Sequence, residues 1–143
     1  MLKISLLICL CICSTANANQ TESWVQQIQR LAIGTSMALK SQVSGDWQQA
    51  CLLEPNANQV GQQDVNASAI NQLLKDQQLQ GNSNSLTMVF WKPGQIAIHS
   101  IPRFDNMSAG RLPAPQQNCV AFAKASVSKE KGMDGVKLLL SAD

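Results

Sequence analysis

The segment SLTMVFWKPGQIAIHSI, residues 85–101, constrains the fold more than any other part of the chain. Successive side chains of a strand point to opposite sides, so Leu86, Met88 and Phe90 share one face and Thr87, Val89 and Trp91 the other. An antiparallel strand with one wet face alternates apolar and polar residues; apolar residues on both faces demand cover on both sides. Pro93-Gly94 fits the two central positions of a type II turn, where proline fixes φ at the first and glycine allows positive φ at the second. Ile96, Ile98 and Ile101 then build a returning strand, so a β-hairpin whose first strand is covered twice is expected here.

Two helices are expected before the hairpin. From Thr21 to about Val43, the positions Trp24, Ile28, Leu31, Thr35, Ala38 and Leu39 recur mostly at three- and four-residue steps, the stripe of an amphipathic helix. Thr21 would cap it, Ser44-Gly45 would stop it, and Gly34 in its interior would cost about 1 kcal/mol. Trp47 and then Ala50 to Leu53 form a short apolar patch ended by Pro55, read as a short strand or irregular core segment that turns Cys51 inward. Asp64 or Asn66 caps a second helix to about Leu79, with Ile70, Leu73 and Leu74 inward and Gly81 as the stop.

Residues 102–118, PRFDNMSAGRLPAPQQN, contain three prolines and fit neither period. A connection of this length is often functional. It offers Arg103, Phe104 and Arg111 as candidate contacts for a partner, with Trp91 beside the Pro93-Gly94 turn as a fourth. The plainer reading is a crossover whose end is fixed by Cys119. Residues 119–127 alternate again, KEKGMDG forms a turn, and Val136 to Ser141 gives a last strand. Lys124, Lys129, Lys131 and Lys137 on this second hairpin read as protection of an exposed edge, with Glu130 and Asp134 diluting the charge. The fold expected is therefore α+β, with two N-terminal helices packed on a small, mostly antiparallel sheet of about four strands in two hairpins.

The cysteines speak to compartment. Lys3, an apolar run from Ile4 to Cys13 interrupted only by Ser5, and Ala16-Asn17-Ala18 have the layout of a secretory signal peptide, 1–18, cleaved after Ala18. The run is half of the roughly 20 residues a membrane helix needs, and no stable membrane span is expected after cleavage. Ile8, Leu10 and Ile12 precede Cys9, Cys11 and Cys13, where a lipoprotein peptidase expects a small residue, so a lipid anchor is disfavoured. The remaining chain, 19–143, reads as a single domain with two cysteines, Cys51 and Cys119, and one possible disulfide. Such a bond would stabilise the fold by up to roughly 4 kcal/mol and tie the helical half to the sheet. The localisation expected is periplasmic or secreted.

Composition excludes some function classes. The formal net charge is +2, so no strong field attracts nucleic acid or an anionic membrane. Residues 19–143 carry 17 Gln and nine Asn, scattered among periodic apolar positions, which describes a folded domain with an uncharged polar surface and not a disordered tract. His99 is the single histidine, which rules out a multi-histidine metal site; no metal or cofactor is expected. Ser126-Val127-Ser128-Lys129 matches S-x-x-K but runs into a turn where that nucleophile pattern opens a helix.

The function expected is that of an exported, non-enzymatic domain binding another protein, as an accessory of a bacterial envelope assembly such as a pilus or secretion system. Two alternatives stand beside it. One is an inhibitor or immunity protein that inserts the 102–118 loop into an enzyme. The other is a small hydrolase using His99 as its base.

Overall fold

The computed structural model describes residues 18–104, 106–110 and 117–143. Its elements are α1 (Ala18–Arg30), β1 (Ser36–Ala38), β2 (Gln49–Leu53), α2 (Ala67–Asp76), β3 (Ser85–Lys92), β4 (Gln95–Pro102), β5 (Ser108–Gly110), β6 (Cys119–Ala121), β7 (Ala125–Lys131) and β8 (Val136–Ala142). Single 3-10 turns cover Leu39–Ser41 and Phe122–Lys124. Among the described residues, no helix is long and apolar enough to cross a membrane.

The class is α+β, but the strands form two sheets in place of one. Sheet I has the order β4-β3-β2-β6 and sheet II the order β1-β7-β8-β5. All pairings are antiparallel except β5 with β8. The β3–β4 hairpin forms as its sequence demands: Lys92 pairs with Gln95 across Pro93-Gly94, and Gly94 takes the positive φ of 77° that the turn requires. Both faces of β3 are covered. Leu86, Met88 and Phe90 enter a main core shared with sheet II and α1, while Val89 and Trp91 enter a second core under α2. Sheet I is thus the middle layer of the molecule, with α2 on one side and sheet II on the other.

The chain passes between the sheets from β1 to β2, from β4 to β5, from β5 to β6 and from β6 to β7, and the last passage is the most local. The alternation expected through residues 119–127 breaks at Phe122–Lys124, where a 3-10 turn lifts the chain from β6 in sheet I to β7 in sheet II. Phe122 remains buried in the main core as the chain crosses.

The first helix is shorter than its apolar stripe suggests. It ends at Arg30, and Gly34, at φ 84°, starts an extended segment instead of sitting inside a helix. The Gly34 N–H donates to the Lys129 carbonyl and the Lys129 N–H to the Thr35 carbonyl, so pairing with β7 replaces the helical ladder. Leu39 keeps its buried place, supplied from the 3-10 turn. The second helix ends at Asp76, three residues before the expected limit, and Gln78 at φ 55° turns the chain away. Gly81 stops nothing. It lies against the Asn56 backbone, where a Cβ would overlap the Asn56 carbonyl.

Cys51 and Cys119 form the disulfide, with Cα atoms 4.0 Å apart, as directly opposed residues of neighbouring antiparallel strands. The bond therefore joins β2 to β6 within sheet I and does not tie the helical half to the sheet. Leu52 N–H donates to Asn118 O and Phe122 N–H to Gln48 O, which puts the cysteines at a non-hydrogen-bonded pair, where opposed Cα atoms approach most closely. Beside it, Asp64 is buried and Oδ1 accepts the N–H groups of Asn118 and Cys119 at 2.9 and 2.8 Å. Asn118 in turn bonds Gly61 N–H through Oδ1 and Leu52 O through Nδ2. These contacts lock the entry to β6 against the loop before α2.

Lys129 is 3% exposed and does not belong to an exposed basic edge. Its Nζ donates to Gln29 O in the last turn of α1 and lies 4.3 Å from the centre of the Phe104 ring. A cation there is favoured by the negative end of the helix dipole and by the ring face.

Replacing Asp64 by Ala removes the acceptor of the half-buried Asn118 and the buried Cys119 N–H groups, and is expected to cost about 2–3 kcal/mol in denaturant unfolding. Asp134→Ala, at an exposed hairpin tip, is expected to change stability by less than about 0.5 kcal/mol.

Candidate functional site

An aromatic cluster occupies one flank of the main core and opens to the surface. Trp24 reaches it from α1, four residues before Ile28 on the same buried face. Phe90 comes from β3, Phe122 from the 3-10 turn after β6, and His99 from β4. The rings of Trp24 and His99 meet edge to face at 5.4 Å, and Phe90 lies 5.6 Å from each of Trp24, His99 and Phe122. Trp47 closes the outer side 6.2 Å from Phe90, held by a hydrogen bond from Nε1 to the Ser44 carbonyl. Gly45 makes that placement possible: its φ is 123°, and a Cβ there would lie 2.6 Å from the Trp47 Nε1.

Between these rings is a cleft of about 210 Å³ bounded by Trp24, Gln42, Val43, Trp47, Ala97 and His99. No formal charge lines it. Burial holds the His99 imidazole below its ordinary value of 6.5, so the ring is neutral at physiological pH. No carboxylate or other group hydrogen-bonds His99 among the described residues, and its neighbours are rings. A larger groove of about 670 Å³ follows α2 and is lined mainly by amides, including Asn58, Gln59, Gln72 and Gln80. Its most buried amide, Asn71, is already committed to the N–H and C=O of Val60. Among the described residues, no group of three or more His, Cys, Asp or Glu side chains is placed to hold a metal ion.

The cleft adjoins an edge of sheet I. Three of the four sheet edges are strands of three residues, β1, β5 and β6, but β4 has eight. Arg103 N–H donates to Asn84 O, and in an antiparallel ladder this phase directs the polar backbone groups of Gln95, Ala97, His99 and Ile101 toward β3. Those of Ile96, Ile98 and Ser100 therefore point outward, and no described residue pairs with them.

The four residues singled out as partner contacts are not gathered at one place. Trp91 is 4% exposed, buried in the second core where the double cover of β3 puts it, and its Nε1 has no hydrogen-bond partner among the described residues. Arg103 is committed internally, with Nε on Met107 O and Nη1 on Ser83 O, both at 2.7 Å. Phe104 packs on the main core beneath Lys129. Arg111 lies outside the described residues, as does the segment 1–17 with most of the expected signal. The first part of the 102–118 connection is docked: Met107 and Ala109 are buried, and β5 pairs with β8. Trp24 and Trp47 were legible as apolar positions, and Gly45 two residues before Trp47 was the one local signal of the cleft wall.

No protein-family model matches the chain, and neither a curated protein nor a solved structure matches it.

Because folding lowers the affinity of His99 for a proton, the unfolded chain binds that proton first as pH falls. The stability contribution of the neutral ring is present above pH 6.5 and is lost as pH drops from 6.5 through the lower folded value. Proton NMR of the ring is expected to show a midpoint below 6.5, and His99→Phe is expected to flatten the stability profile in that window.

Proposed function

We propose that this chain is an exported, non-enzymatic domain that binds another protein, as an accessory of a bacterial envelope assembly. The observation that carries the reading is the cleft walled by Trp24, Trp47 and His99. At about 210 Å³ it falls below the roughly 300–1,000 Å³ that encloses a small-molecule ligand, and suits one or two side chains of a polypeptide. Its walls are two tryptophans and a neutral imidazole, a surface that gains from desolvation by an apolar anchor residue, and tryptophan is prominent among residues that dominate protein–protein affinity. His99 serves this purpose as a wall. Its edge-to-face contact with Trp24 and its tilted contact with Phe90 orient it by packing, without the hydrogen-bonded partner that a general base needs. The disulfide at Cys51 and Cys119 is compatible with export, since such bonds persist in oxidising compartments.

A photoreactive side chain at Ser44, on the exposed rim of the cleft, tests this in the native host. One dominant crosslinked protein, lost in a Trp47→Ala background and not seen from Met133 at the exposed tip between β7 and β8, is expected. Equal products from both positions, or none from Ser44, would overturn the reading.

A further inference from the structure

We infer that β4 is a self-association edge: two copies of this chain pair antiparallel through residues 96–100, with Ile98 opposite Ile98 of the second copy. The inference goes beyond the binding reading above, and it starts from a contrast among the sheet edges. Exposed edges are ordinarily blunted by shortness, charge, proline or a bulge, because unpaired N–H and C=O groups invite another strand. β1, β5 and β6 are short. β4 is eight residues long, carries no charged residue, has no proline before its last position, and pairs with β3 without a bulge. The stretch QIAIHSI between the turn and Pro102 is therefore an open ladder.

The occupant follows from the symmetry of that ladder. The outward-directed residues are Ile96, Ile98 and Ser100, bounded by Gly94 in the turn and by Pro102, which has no N–H to offer. Gly94 and Pro102 stand at equal distances along the chain from Ile98, so the free segment is centred on one residue. A two-fold axis through Ile98 makes every outward group meet its complement: Ile96 pairs with Ser100 of the second copy, Ile98 with its own equivalent, and Ser100 with Ile96. Such an isologous arrangement is how most homodimers close. Charge agrees with it, because self-pairing of a charged edge would set like charges against each other and this edge has none.

Side chains fit the same register. Ala97 then stands opposite His99 of the second copy at a close, non-hydrogen-bonded pair, small against large, on the face that carries the cleft. Each copy thereby brings its imidazole beside the partner's Ala97, and the two clefts become one longer groove across the axis. On the other face the half-buried Ile98 side chains cover each other.

Sedimentation velocity of the purified, oxidised chain from low to several hundred micromolar tests the pairing. A concentration-dependent species of twice the monomer mass is expected. Ile98→Lys puts like charges face to face on the axis, and Ser100→Pro removes an outward N–H that no intramolecular bond uses; each should weaken association at least tenfold. Ser100→Pro keeps the test valid where Ile98→Lys disturbs folding, since a proline whose N–H faces outward is tolerated on an edge. Register is read separately: under mild oxidation Ile98→Cys should form an intermolecular disulfide, because paired Cα atoms there lie about 5.5 Å apart, and Ser100→Cys should not. A wild-type monomer at all concentrations, dimers undiminished in both variants, or crosslinking through position 100 would overturn the inference. The Ser44 crosslink is measured independently, so partner capture by a strictly monomeric chain would overturn self-pairing and leave the binding reading standing. A dimer that captures no second protein would do the reverse.

Discussion

The double burial of β3 is the constraint on which the remainder depends. A strand with Leu86, Met88 and Phe90 on one face and Val89 and Trp91 on the other cannot leave either side to water. One side is satisfied by α2, whose Ile70 and Leu74 lie over Val89 and the disulfide. The other requires more area than one helix offers, and sheet II provides it with Val127, Leu138 and Leu140, joined by Trp24 and Ile28 of α1. The aromatic cleft is the margin of this second contact, where the cover supplied by α1 meets the edge strand and stops short.

How much of this was legible depended on whether the signal was local. The β3–β4 hairpin was legible because turn chemistry at Pro93-Gly94 and period-two apolar spacing agree within a few residues. The end of α1 was not, because Ala38 and Leu39 continue a helical spacing past Gly34, while the pairing that breaks the helix comes from Lys129, far along the chain. The three-residue strands β1 and β5 are too short to carry a period, and the second sheet is built on their partners. Trp91 is a different case. Its burial already followed from a doubly covered β3, and expecting it beside the turn as an exposed contact set a local cue against a stronger one. The cleft was invisible for a geometric reason: Trp24, Trp47 and His99 lie on three elements whose convergence the linear order does not state.

Lys129 shows how one buried cation can align elements that also share an apolar core. Its position on β7, its bond to the last turn of α1 and its place above Phe104 bring three segments to a common point. α1 carries Trp24 midway along its length, so the cleft wall is referenced to sheet II by a charge that does not line the cleft. A lysine in this role contributes through alignment as much as through energy, because helix dipole and ring face both act over short range and fix direction.

A strand as short as β6 would by itself open readily, since terminal and edge segments sit at the low end of the range of local opening energies. Here it is fastened covalently to β2 and its first N–H is held by the buried Asp64 carboxylate. The Cys119 amide faces away from β2 and is sealed by that carboxylate, so its hydrogen exchange becomes a clock for the parting of the loop before α2 from the least substantial strand in the sheet.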